Sequence, residues 1–173
     1  KSVGIDPNQF VVDIGKEQLG VDLIEGYYAM DSFDENSFDI VSAECVAYYF
    51  RPSLLNFMEI ARYHLKEDGV LYMVLPSVEK LHDNFFPNYV RCLVPYQDVE
   101  VVFSHIGWEV VDKTKTFFNN GSYGVILKKN KTIKPLDIKS SADKVKQSLI
   151  LSDCQFGFGY SKKPLSILKN MLL

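Results

Sequence analysis

Near its carboxyl end the chain reads Ser148-Leu-Ile-Leu-Ser-Asp153-Cys-Gln-Phe-Gly157-Phe-Gly159-Tyr-Ser161: an apolar run, an acid, then glycines spaced G-x-G. A helical stretch, Pro164 to Leu173, follows. A strand that enters a glycine turn and then a helix brings backbone N–H groups against a ligand, since glycine has no Cβ to hold it away. That order constrains the chain towards an open α/β sheet with its ligand at the carboxyl ends of the strands. The glycine pattern is weak by itself. Its weight comes from the first residues, Lys1-Ser-Val-Gly-Ile-Asp6-Pro-Asn8, a second apolar run ending in an acid. In nucleotide-binding βαβ units an acid about 20 residues beyond the glycines accepts hydrogen bonds from ribose hydroxyls. With Leu173 joined to Lys1, Asp6 falls about that far after Gly159. The chain therefore reads as circularly permuted, one βαβ unit being divided between its two ends.

Between those ends, strand and helix patterns alternate, which predicts right-handed βαβ units and a mainly parallel sheet. Pro7 to Gln18 reads as a helix with Pro7 at its first position and Phe10, Val11, Ile14 and Gln18 on one face. Gly20 stops it before a strand at Val21–Ile24. Gly26 to Ser37 is a loop, and Phe38–Ala43 is a continuous apolar run of the kind buried parallel strands show. Pro52 to Leu65 is an amphipathic helix and Val70–Leu75 a strand. Residues 77–95 are aromatic-rich and interrupted by proline, either a cover over a cleft or a plain surface connection. A helix at Tyr96–His105 and strands at Trp108–Lys113 and Tyr123–Lys128 complete the series. The last two strands flank an Asn119-Asn-Gly turn and resemble a hairpin. Residues 129–145 read as a linker and a short helix.

Several motifs, taken together, resemble the class I S-adenosylmethionine-dependent methyltransferases. Asp153-x-Gln155-x-Gly157-x-Gly159 is similar to their D-x-G-x-G-x-G signature, with Gln155 in place of the first glycine. Val3-Gly-Ile-Asp6-Pro7 resembles their second strand, and Glu25 to Val41 their third strand, adenine loop and fourth strand. His64-Leu-Lys-Glu-Asp-Gly69 resembles the turn into the fifth, and Ile106-Gly-Trp-Glu-Val-Val111 the turn into the sixth. The resemblance covers 1–128 in order and 146–173 out of order. It implies one domain over 1–173 with a Rossmann-like, seven-stranded, mostly parallel sheet and helices on both faces. The carboxyl-terminal segment 146–173 then supplies the first strand, glycine loop and first helix.

The same resemblance implies S-adenosylmethionine as cofactor. Asp153, Gln155, Gly157 and Gly159 would meet its methionine part, Asp6 with Pro7 the ribose, and Tyr27 to Met30 the adenine, with Ala43 and Glu44 closing the site. Methyl transfer from a sulfonium is an in-line displacement that depends on positioning, and a base is needed only where the acceptor must lose a proton. Glu44, Tyr48 and His82 are the candidates; the plain readings beside them are a solvated helix-start carboxylate, weighed evenly with function, and a pocket-wall tyrosine and an exposed loop histidine, which weigh more than function. His64 and His105 sit at helix ends, where a cation suits the dipole, and are assigned structural roles.

A net charge of −3 gives no support for a nucleic-acid surface. Three cysteines, Cys45, Cys92 and Cys154, without a C-x-x-C pair, fit reduced thiols in a cytoplasmic protein. No apolar run reaches the ~20 residues of a membrane span, and no signal peptide is expected. The expected acceptor is a small molecule, a sugar or another metabolite. Three alternatives stand beside it. One is a non-catalytic module of this fold, suggested by Gln155 and by Tyr27, which stands where relatives carry an acid. The second is a methyltransferase acting on protein or nucleic acid. The third is a nicotinamide-dependent oxidoreductase, which would want a third glycine or alanine where Lys162 stands.

Overall fold

A computed structural model of the chain describes residues 2–47, 54–76, 94, 96–115 and 122–131. The described strands form two sheets. β1 (Gly4–Asp6) and β2 (Leu23–Glu25) pair in parallel, with Asp6 opposite Glu25. The four-stranded sheet contains β3 (Phe38–Glu44), β4 (Leu65–Pro76), β5 (Trp108–Lys115) and β6 (Ser122–Lys129), in the order β3-β4-β6-β5. β3 and β4 run parallel, while β6 is antiparallel to both β4 and β5. The antiparallel β5–β6 pair agrees with the hairpin reading of those strands. Of the expected seven-stranded, mostly parallel sheet, the described residues hold six strands. Their pairs divide evenly between parallel and antiparallel, and the strand expected first in the fold lies outside the described residues.

α1 (Gln9–Leu19) begins two residues later than a helix with Pro7 at its first position would. Asn8 is the N-cap, its side-chain oxygen accepting from the Phe10 N–H at 3.1 Å. Gly20 ends the helix as expected, with a left-handed φ of +63° and its N–H donated to the Gly15 carbonyl. The buried side of α1 is Val12 and Gly15, not Phe10 and Val11. Leu23 of β2 packs onto Gly15, where a Cβ would collide with it. That close approach turns the helix so that Phe10 is 70% exposed.

α2 (Leu54–His64) and α3 (Val99–His105, entered through a 3-10 turn at Tyr96–Asp98) cover the four-stranded sheet. Directly opposed pairs Leu71–Leu127, Met73–Val125 and Leu75–Tyr123 line its buried face. Leu54, Met58 and Ala61 from α2, Val102 and Phe103 from α3, and Trp108 close the core above them. Tyr123 also donates its hydroxyl to the Val94 carbonyl at 2.7 Å. β3 departs from its expected burial. Only Ala43 is buried along it, and Ile40 is 62% exposed, because β3 ends the sheet with one edge unpaired among the described residues.

The packing makes a contrast that chemical denaturation can read. Leu71→Ala, in the sheet's buried face, lowers the unfolding free energy by about 2–5 kcal/mol. Val111→Ala, half exposed on the far edge strand β5, changes it by no more than about 0.5 kcal/mol.

Candidate functional site

β1 and β2 end at the same level, and the residues beyond them turn sharply. Asp6 follows Ile5, and its Oδ1 accepts the Asn8 N–H at 2.8 Å, a local turn that steers the chain into α1. A carboxylate has about four lone-pair positions, so one backbone bond leaves capacity for two ribose hydroxyls. The Asp6 carbonyl takes the Gly26 N–H at 3.0 Å. Gly26 adopts φ +153°, a region L side chains rarely enter, and this permits the turn out of β2.

The segment after Gly26 is closed on itself. Ser32 Oγ accepts the Ala29 N–H at 2.8 Å and donates to the Tyr27 carbonyl at 3.3 Å, and the Ser32 N–H reaches the Ala29 carbonyl. Its underside is buried. The Tyr28 ring lies 5.8 Å from Phe57 and 5.2 Å from His64, and Phe33 packs edge-on to Phe38 and His64. Tyr27 is left 81% exposed and Met30 45% exposed.

The histidine beneath this segment is fully buried. His64 Nε2 lies 3.0 Å from the Met30 carbonyl and Nδ1 lies 2.9 Å from the Tyr28 hydroxyl. A carbonyl only accepts, so Nε2 carries the proton and bare Nδ1 accepts from Tyr28; the tautomer is assigned from these partners. His64 takes a structural place through two hydrogen bonds to the segment after β2, where the expectation rested on its position at a helix end. The signal was present in the pattern, since His64 follows Phe57 and Ala61 on the buried stripe of α2, where a polar group must find partners.

At the end of β3, Ala43 is buried and Glu44 exposed, with Ser42 Oγ 3.5 Å from Glu44 Oε1. Cys45 then takes a left-handed φ of +57° and donates its N–H to the Val74 carbonyl at 3.1 Å. Non-glycine residues held there cost about 1–3 kcal/mol and gather at functional turns. The sequence carries no sign of that strain.

No family model matches the chain, and no curated protein matches it. Solved structures do. A methyltransferase of Aquifex aeolicus that depends on S-adenosylmethionine is 16% identical, with a TM-score of 0.57 over 73% of this chain and 68% of that one. One from Archaeoglobus fulgidus is 14% identical, with a TM-score of 0.57 over 75% and 76%. The 1,6-didemethyltoxoflavin-N1-methyltransferase of Burkholderia thailandensis, solved with 1,6-didemethyltoxoflavin and S-adenosylhomocysteine, is 11% identical, with a TM-score of 0.55 over 74% and 60%. The fold is that of the S-adenosylmethionine-dependent methyltransferases. At these identities the likeness is one of fold alone.

Within this methyltransferase fold, Asp6 and Pro7 follow β1 at the carboxyl end of the β1–β2 pair and Tyr27 follows Gly26 at the same end, while Met30 lies against His64 and the groove described below. It places Ala43 and Glu44 at the carboxyl end of β3, in the other sheet. Tyr48, His82, Asp153, Gln155, Gly157 and Gly159 lie outside the described residues. Among the described residues, no group of His, Cys, Asp and Glu could hold a metal, and no helix is long and apolar enough to cross a membrane. A groove of about 550 Å³ lies elsewhere, against the amino end of β3, and shares only Met30 with the expected cofactor set.

Burial pushes the Tyr28 phenol above its ordinary value of about 10. The neutral phenol is the form the fold favours. Stability from this group is therefore complete below pH ~10 and is lost as pH rises past it, where the unfolded chain ionises first. Tyr28→Phe should flatten the alkaline fall in stability relative to the unsubstituted protein, measured by urea denaturation between pH 9 and 11.

Proposed function

We propose that this chain transfers a methyl group from S-adenosylmethionine to a small-molecule acceptor, with the adenosine end of the donor seated between Asp6 and the Tyr27–Met30 segment. The observation that carries the reading is the meeting of a fold shared with such methyltransferases and a carboxylate at the end of β1 beside an outward-facing, rigidly closed aromatic corner. Asp6 accepts from the ribose hydroxyls, a charge-assisted pairing, and the exposed Tyr27 ring offers a stacking face to adenine where relatives place an acid. The bound donor supplies an electrophilic methyl on its sulfonium. Glu44 is the described base for an acceptor that must lose a proton, and Tyr48 and His82 complete the candidate set.

In the same reading, residues 146–173 supply the strand between β1 and β3 and the glycine turn at Asp153, Gln155, Gly157 and Gly159. Two features support this. β1 and β3 each leave one edge unpaired among the described residues, and Phe10 and Ile40 expose apolar surface on the helix after β1 and on β3 itself. A small acceptor is favoured by the net charge of −3, and one neighbour of the same fold was solved with such a molecule, 1,6-didemethyltoxoflavin. A cytoplasmic protein with reduced thiols completes the proposal.

Calorimetric titration with S-adenosylmethionine and S-adenosylhomocysteine tests it. Micromolar binding is expected, weakened about tenfold or more in Asp6→Asn, which keeps the oxygen that Asn8 needs but loses the charge. Binding of a nicotinamide dinucleotide instead supports the oxidoreductase alternative. A folded protein that binds neither is the non-catalytic module. The strand assignment has its own test. If residues 146–173 cover β3, Ile40→Ala lowers stability by about 2 kcal/mol or more in the full chain; a change within about 0.5 kcal/mol means the face is bare.

A further inference from the structure

We infer that His64 is a positioning residue for the adenosine-binding corner, fixing the Tyr27–Met30 segment from beneath so that Tyr27 presents a preformed face to the ligand. The inference rests on the methyl-transfer reading, and it concerns a residue on α2 that is expected to touch neither the donor nor the acceptor.

The segment leaves β2 through the unusual φ of Gly26. A loop of this kind would ordinarily sample many conformations, each lowering the population able to bind. His64 removes that freedom at two alternate positions. Its Nε2–H holds the Met30 carbonyl at 3.0 Å, and its Nδ1 holds the Tyr28 hydroxyl at 2.9 Å. With Tyr28 drawn inward against Phe57 and the Met30 backbone tied down, the intervening Ala29 closes onto Ser32. Tyr27, one residue before the anchored tyrosine, is thereby turned out to 81% exposure. The loop's far end is held by the same helix turn, since the Asn36 and Ser37 N–H groups donate to the Tyr63 and His64 carbonyls at 3.0 and 2.8 Å. One helical turn thus fastens both ends of the segment, and the His64 side chain reaches its ligand-facing half. A leucine of similar volume at position 64 would remove the hydrogen bonds to the Tyr28 hydroxyl and the Met30 carbonyl while keeping the packing.

The test combines hydrogen exchange with binding on the full chain, using His64→Leu, His64→Gln and Tyr28→Phe. In His64→Leu, exchange at the Ala29 and Ser32 amides is expected to rise while β4 and β6 stay protected, and S-adenosylhomocysteine affinity is expected to fall about tenfold. Gln can return a side-chain N–H to the Met30 carbonyl, so His64→Gln should recover most of that affinity. Tyr28→Phe, which keeps the ring and removes one bond, should lose about threefold and serves if His64→Leu does not fold. Unchanged affinity in a folded His64→Leu protein, or loss of protection throughout β4 and β6, overturns the positioning role alone. Failure of the unsubstituted protein to bind S-adenosylhomocysteine overturns the methyl-transfer reading and this inference with it.

Discussion

The last turn of α2 holds together parts of the chain that share no strand pairing. Arg62 lies over the Trp108 ring at 4.9 Å and donates to the Gly107 carbonyl, tying the helix to the turn that opens β5. The Tyr63 and His64 carbonyls, which no later helical residue can satisfy, are taken by the Asn36 and Ser37 N–H groups. The Leu65 carbonyl accepts from Lys129 Nζ at 2.6 Å at the end of β6. The His64 ring reaches the segment after β2. Burial lowers the proton affinity of both Arg62 and Lys129, the expected direction for cations drawn from water into a mostly backbone-lined site. A helix end ordinarily leaves carbonyls to solvent; here they anchor the entry to β3 and the end of β6, while the His64 ring holds the segment after β2.

That arrangement places rigidity and openness side by side. The core between the four-stranded sheet, α2 and α3 is closely covered, with Leu71, Met73, Val125 and Trp108 fully buried. The β1–α1–β2 unit is smaller, and its close contacts among the described residues include Gly4 and Gly15 against Leu23, with Val12 buried. Its carboxyl end is nevertheless well defined, because Asp6 accepts from the Asn8 and Gly26 N–H groups and Ser32 closes onto Tyr27 and Ala29 at short range. Binding surfaces of this sort gain affinity by having their ordering done in advance.

Much of the element order was legible from patterning. The helix stop at Gly20, α2's buried stripe and the antiparallel close of the sheet all follow from local rules of glycine, 3.6-residue periodicity and turn chemistry. Periodicity failed for α1, where Phe10 and Val11 suggest a buried face but a glycine contact with Leu23 decides the rotation. It failed for β3, because an apolar strand reads the same whether its edge and faces are covered or open. The site was legible where one residue does one local thing, as Asp6 does after β1. It was not legible at His64, whose partners Tyr28 and Met30 lie more than thirty positions away, or at Cys45, whose strain is a property of backbone angles. The whole of the glycine signature, Asp153 to Gly159, and the Tyr48 and His82 assignments fall outside the described residues, so they stand as sequence-based expectations.

The central claim is that adenosine sits on the corner formed by Asp6 and the Tyr27–Met30 segment. Photolabelling with the 8-azido derivative of S-adenosylmethionine, followed by peptide mapping, tests it most directly, because the reactive group is on the adenine ring. The account predicts attachment within residues 23–31, suppressed by excess S-adenosylhomocysteine. Competable attachment to the groove residues Phe38 and Tyr63, or labelling that S-adenosylhomocysteine does not suppress, would contradict it.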